Sequence, residues 1–495
     1  LNPNQVFSYA VNATGEQTTR SFDDAGTLRE TTTTQSDWAG RQLSTTFMDG
    51  ATATTEYNSL GQTVKSTDPD GVTTLMAYND RGERTVTATD LNANGQIDYG
   101  TDSVNFSETI PALDANSDPV WQTTSKVWQD GDTDPTAGTV VSTTTRTPDG
   151  LESTSQSIGV AEPSTSLTTL GGNGNWTQKT TNPDGTFTLT TFTDGLQEKA
   201  EIFEVGADPQ NDDPIASTTT SYDSLNRPIQ STDSRTGTTW FAPLHDHDDD
   251  PNTPMVRKSS AEVTASDQTV YVEDPGGRKT TFTYDIRGRR IEVDAPDTLD
   301  SDGNTLANIT TTTYFPDGNV QETSGDQTYR TTHTYDYADR QVTMTTYGTE
   351  TATTTWNYDA QRGFLTRKEY PDGKGTDYTY TAAGRLATRT WARGVVTTYS
   401  YDNAGRLTLT DYSDTTPDVT VSYDALSRQL TQSNGVATST FAYNSGNLQL
   451  DTETIAYDLD TDGSTDFTRV LDRSQDNLNR PTGWTLGAPT SPSAM

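Results

Sequence analysis

The string YDNAGRL begins at Tyr401, and YDALSRQL follows at Tyr423. A chain that rewrites its own letters at a fixed interval builds one supersecondary unit many times, and each copy must bury its faces against the next. Aligning an aromatic followed by Asp or Asn, two spacers and a small or polar residue gives a ladder. It runs through Phe22, Tyr57, Tyr78, Tyr222, Tyr284, Tyr335, Tyr358, Tyr401, Tyr423 and Tyr443, with looser members at Asp37, Tyr380 and Asp476. From Tyr335 the steps are 23, 22, 21, 22 and 20 residues, so the period is near 21.

Each copy carries a turn. In YDNAGRL, YDIRGRR, YNSLGQT, YNDRGER and YDSLNRP the Asp or Asn side chain can accept backbone N–H groups two residues on, and Gly or Asn supplies the positive φ that reverses the chain. Gly61, Gly82, Gly288, Gly384 and Gly405 stand at that place, with Asn226 and Asn479 as replacements. A second turn, PDG, recurs out of phase in the stretches starting at Asp68, Thr147, Asn182, Phe315 and Tyr370. There Pro fixes the first corner and Gly relieves the second. Between turns run TVKST, TTLMAY, TLTTF, QVTMTTY and VVTTYSY, rich in β-branched and aromatic residues. Two turns and two strands make each unit a β-hairpin. A lone hairpin is marginal in water, so the units are expected to stack edge to edge into one long antiparallel sheet. The fold class is all-β.

Composition must be reconciled with that reading. Seventy acidic side chains against 33 basic ones give a net charge of −37, and only 29% of residues are apolar. Such a balance normally marks disorder. Here, however, 9% of residues are aromatic, and the abundant Thr, Tyr and Val suit a pleated, half-exposed surface. The scarcity of Leu and Ile argues against a two-layer sandwich. It fits a sheet coiled into a broad barrel or spiral with an aqueous lumen. The acidic surface argues against nucleic acid and anionic lipid as partners. The absence of cysteine removes disulfides, thiolate metal sites and a thiol nucleophile. No run of about 18 apolar residues predicts a membrane span. The N-terminal LNPNQVFSYA lacks the pattern of an export signal.

The YDxxGR units at Tyr284 and Tyr401, with looser copies at Tyr57, Tyr78, Tyr222 and Tyr423, resemble the YD repeats, also called RHS repeats. They cover nearly the whole chain and thin between 105 and 217. The resemblance implies a spiralling β-sheet wound into a hollow shell, as in bacterial toxin-delivery proteins and the animal teneurins. In the bacterial members the shell encloses a C-terminal toxin polypeptide released by self-cleavage. No Gly- and Asn-rich core with a DPxG cleavage context is present: DPDG at Asp68 and DPGG at Asp274 read as hairpin turns. The chain is expected to be one continuous sheet over 1–495, a fragment of a larger protein.

Acidic insertions lengthen the hairpins near 90–102, 129–137, 206–214, 245–255, 295–306 and 458–466. In two of them oxygen ligands fall at positions 1, 3, 5 and 9 of a calcium loop, with Gly at 6. These are Asp90, Asn92, Asn94 and Asp98, and Asp458, Asp460, Asp462 and Asp466. Position 12 holds Thr101 or Arg469 instead of a bidentate acid, so Ca2+ would bind weakly. The alternative for each is a solvated acidic turn. His245 and His247 offer a weaker divalent site.

Catalysis has little to stand on. Three His residues are present, and His333 lies on a predicted strand two residues before a Tyr-Asp turn, where packing accounts for it. The expected function is therefore non-catalytic: a secreted or surface-displayed shell that sequesters a polypeptide cargo. The alternatives are a calcium-dependent adhesion module binding a cell-surface protein or carbohydrate, with Trp38, Trp128, Trp176, Trp240, Trp356 and Trp391 as stacking faces, and an architectural filament.

Overall fold

The computed structural model describes residues 5–222, 226, 228–241, 259–263, 269–273 and 278–489. Among them there is no helix. Thirty-nine strands form one sheet in which each strand hydrogen-bonds the next strand of that sheet along the chain. The pairings are antiparallel, as in Val396–Tyr401 against Leu407–Tyr412, with one parallel exception between Gly237–Phe241 and Ser259–Val263. Successive turns therefore fall on alternate rims.

The Tyr-Asp corners occupy one rim. The ladder slips by one residue between Ser400 and Tyr401, and likewise just before Tyr57, Tyr78, Tyr284, Tyr358 and Tyr423. Gly405 N donates to Asp402 O and Asp402 N to Arg406 O, which makes the corner a tight turn closed by a bulge. Gly405 holds φ 72°; Asp339, Ser427 and Asn479 hold the same left-handed conformation elsewhere.

Three expectations about the turns change. Phe22 is not a corner of this kind: Asp24 pairs with Thr27 across the two-residue turn Ala25-Gly26, on the opposite rim. The PDG turns are not all out of phase, since those at 147–151 and 315–319 sit on the corner rim. Tyr314 thereby becomes a missed ladder member, with Phe315 in the place of Asp. In the thin region, 114–118 keeps the corner without its letters: Asp114 Oδ1 accepts Asn116 N and Asp118 N.

The sheet is a single layer. Thr63–Thr67, Trp176–Thr181, Leu386–Thr390 and Leu407–Tyr412 are half-buried at every position, so neither face is dry. The chain exposes 28920 Å², whereas a globular monomer of its mass would expose about 17,900 Å². Among the described residues, Leu75, Val86, Ala88, Val104 and Trp128 form one local apolar core.

The sheet coils on itself. Its corner rim returns to touch the opposite rim laid down 295 to 330 residues earlier, as in Asp130–Ala425, Ile158–Asn479 and Glu30–Ala360. One coil, from Thr73–Tyr78 through Gly375–Tyr380, contains 24 described strands of the main sheet. At about 4.8 Å per strand the wall measures roughly 115 Å around, or roughly 37 Å across if round. The result is a spiralling hollow shell.

Candidate functional site

A wall functions through what holds it closed, and two sets of contacts do so here. The first joins neighbouring hairpins. Asp402 Oδ1 accepts Ala404 N and Arg406 N, both at 2.9 Å, while its Oδ2 takes Arg406 Nε at 2.7 Å. The same Arg Nε to Asp Oδ2 bond, at 2.6–2.8 Å, recurs in Asp37/Arg41, Asp285/Arg289, Asp336/Arg340, Asp424/Arg428 and Asp476/Arg480. Each aspartate thus both caps its turn and aims an arginine.

That arginine lies over the tyrosine of the next corner. Arg41 over Tyr57, Arg289 over Tyr314, Arg340 over Tyr358, Arg406 over Tyr423 and Arg428 over Tyr443 place the guanidinium 4.2–5.0 Å from the ring centre. The tyrosine hydroxyl then donates back to the main chain beside that arginine: Tyr401 to Leu386 O, Tyr423 to Leu407 O and Tyr443 to Gln429 O, at 2.8–2.9 Å. Tyr57, Tyr78, Tyr222, Tyr314, Tyr358 and Tyr380 donate in the same way. Burial pushes the Tyr358, Tyr380, Tyr401 and Tyr443 hydroxyls above the ordinary tyrosine value. Every letter of Tyr-Asp-x-x-Gly-Arg has a place in this relay.

The second set joins the coils. Arg340 Nη1 and Tyr337 Oη reach Glu30 Oε1 at 2.7 and 2.6 Å, and burial together with Glu30 raises Tyr337 to about 12. Arg362 lies 3.8 Å over the Phe47 ring and pairs with Asp49 at 3.0 Å. Arg385 spans Asp68 and Asp70 at 2.7 and 2.6 Å. Asn403 Nδ2 donates to Leu91 O, Ala425 N to Asp130 Oδ1, and Asn479 Nδ2 to Ile158 O. Arg480 approaches Asp184 at 3.4 Å. Acidic turns of the first coil therefore meet the corners of the second. Sequence reasoning missed this seam; its signal was the acid in PDG and MDG turns facing arginines in irregular repeats.

All the described acidic insertions lie on the rim opposite the corners. The segments 90–102 and 129–137 pack together: Gly131 N donates to Gly100 O, the Tyr99 ring packs tilted 4.7 Å from Trp128, and Trp128 Nε1 donates to Asp134 O. They cap the apolar core and, through Leu91 and Asp130, join the seam. The segment 295–306 holds a small two-stranded hairpin, Thr298–Leu299 with Thr305–Leu306. The 245–255 stretch with His245 and His247, and the DPGG at 274, lie outside the described residues.

The two calcium-like loops differ. In the first, Asp90 Oδ1 and Oδ2 accept Asn94 N and Gly95 N, while the Asn92 and Asn94 amides donate to Asp98 Oδ2 and hold its carboxyl below the ordinary value. Buried Asp102, raised by desolvation, accepts Leu91 N and Asp98 N. In the second, Asp458, Asp460 and Asp462 each offer a carboxylate oxygen, all within 4.8 Å of one another. Asp466 accepts Leu459 N, which is the place Asp102 holds in the first loop, so Asp466 and Asp98 are not equivalent.

The tryptophans are mostly packing residues. Trp128 is buried, Trp176 stacks on Phe192 at 3.6 Å, Trp356 lies near Lys368 and Trp391 under Arg389. Trp38 is exposed. The side chain of Trp240 is outside the described set. His333 faces Met344 across the ladder.

Comparison with known proteins agrees with the geometry. A family model described as teneurin YD-shell matches residues 255–459, and one described as RHS repeat matches 57–97. The matched stretches are YD, or RHS, repeats. No curated protein matches the sequence. Among solved structures, TcdB2-TccC3 without its hypervariable C-terminal region is 11% identical, with a TM-score of 0.41, over 97% of this chain and 33% of that one. The Photorhabdus luminescens Tc holotoxin pore is 12% identical, with a TM-score of 0.33, over 99% and 35%. The chain spans about a third of the length of these structures. The YD model covers the stretch where the ladder is densest. The YD repeats thus form a structural shell.

Proposed function

We propose that this segment is the wall of an extracellular container that encloses a polypeptide, and that it acts sterically without catalysing a reaction. The observation that supports this reading is the wall itself: one layer, wet on both faces, wound into a coil whose second turn docks on its first. Such a wall excludes proteases while offering an enclosed chain no extended apolar surface on which to fold. The decisive experiment expresses the intact protein, with whatever polypeptide follows the repeats, and exposes it to a protease. An enclosed tail is cut only after the wall is denatured; a tail cut as fast as the same tail alone would overturn the container.

Calcium at the 458–466 loop is a second proposal, favoured by the clustering of Asp458, Asp460 and Asp462. Calcium titration by calorimetry should show one weak site that is lost in Asp460→Asn. The 90–102 loop should bind none, because the Asn92 and Asn94 amides already occupy Asp98. An adhesion role would instead require a surface ligand whose binding survives when the wall is empty.

A further inference from the structure

The repeat at Tyr380 reads YTAAGRL, with Thr381 where most of the tyrosine corners carry Asp or Asn. Its corner is nevertheless capped. Asp70, from a turn of the first coil, sends Oδ1 to Ala383 N at 2.9 Å and Oδ2 to Thr381 Oγ1 and Arg385 Nη1, both at 2.6 Å. Asp68 Oδ2 takes Arg385 Nη2 at 2.7 Å. In the corner at 402, the corresponding Ala404 N–H and arginine bonds go to the repeat's own Asp402. The carboxylate absent from the second coil's corner is supplied in trans by the first.

The neighbouring repeat departs differently. YDAQRGFL has an extra residue, so Phe364 takes the arginine's place and packs 4.8 Å from Tyr380, as Arg406 packs on Tyr423. Arg362, displaced to the other side of Gly363, is free to reach Asp49 and lie over Phe47. At Asp402 and Asp424 the arginine is held within the coil, whereas Arg340 and Arg480 bond their own Asp336 and Asp476 and also reach Glu30 and Asp184 across the seam.

We infer that Thr381 and the Arg362-Gly363-Phe364 inversion are register keys: departures from the repeat that select which first-coil turn each second-coil corner docks on. A uniform repeat could close at any multiple of one hairpin, because every corner would offer the same surface. Corners that depart from the repeat remove that degeneracy, as a single polar residue fixes register in a coiled coil. At the Tyr380 corner Asp70 takes the place of the missing acid. The groups facing Asp70 are Thr381, Ala383 N and Arg385 from the second coil, with Asp68 beside it.

The test is Thr381→Asp in the whole 495-residue chain, which restores the letter the repeat calls for. A consensus substitution ordinarily stabilises. Here the new carboxylate repels Asp70 and competes for Arg385, so hydrogen exchange across 66–74 should rise at least about fivefold while 402–406 is unchanged. Asp70→Asn, which adds no charge, should speed exchange at Ala383 and across 66–74 without altering 402–406. Slower or unchanged exchange across 66–74 in Thr381→Asp, or an unchanged Ala383 amide in Asp70→Asn, would overturn the key.

Discussion

At the scale of single residues, the corner explains its own letters. Tyr401→Phe keeps the ring and loses only the hydroxyl bond to Leu386 O. The expected cost is about 1 kcal/mol, the net worth of one such bond, read as faster exchange near 386 and 401. Arg406→Lys should cost at least as much, because an ammonium cannot both bond Asp402 through a planar edge and lie over Tyr423. Acid acts on the same corners. Arg41 and its N–H hold Asp37 below the ordinary carboxylate value, and the N–H groups and guanidiniums of Arg289 and Arg480 do the same for Asp285 and Asp476. Charged carboxylates thus favour the folded corner, so this contribution is complete above the unfolded value of 3.8 and fades as pH falls below it.

At the scale of the hairpin, turn geometry limits what can be substituted. Gly405 has φ 72°, and a Cβ there would sit 2.5 Å from Arg385 Nη2. Gly373, on the opposite rim, has φ 76° with nothing within 4 Å. Gly405→Ala should therefore disturb both its own corner and the Arg385 pairing across the seam. Gly373→Ala should cost only backbone strain, about 1 kcal/mol, confined to 370–374. Exchange at 66–74 separates the two: it should change in the first variant and not in the second. The alternation of rims also explains why acidic loops are tolerated where they are. On the rim opposite the corners they leave the tyrosine relay intact, and those at 90–102 and 129–137 become part of the seam.

At the scale of the whole molecule, closure rests on a short list of partly buried ion pairs and hydrogen bonds within a chain of net charge −37. Burial raises the Asp70 carboxyl, but Thr381, Ala383 N and Arg385 outweigh it and hold it below 3.8. Its share of seam stability is present above that pH and lost as pH falls through the lower folded value. Small-angle scattering should show the coils parting, as a rising radius of gyration, below about pH 3.8. That change should begin at higher pH in Arg385→Gln. An unchanged radius down to acid unfolding would show that the tyrosine relay alone holds the wall.

The sequence by itself determined the all-β class, the period and the corner, because turn chemistry is local and Asp402, Gly405 and Arg406 carry it within five residues. It also marked the acidic insertions. It misplaced Phe22, which shares the letters but closes a two-residue turn, and passed over Tyr314, whose partner is Phe315. What only the tertiary structure decided is the pairing of coils. Asp70 and Arg385 are 315 residues apart, and no local pattern tells an acid that caps its own turn from one that caps another. That distinction depends on the circumference at which the twisted sheet meets itself, a sum over some two dozen strands that no single repeat contains.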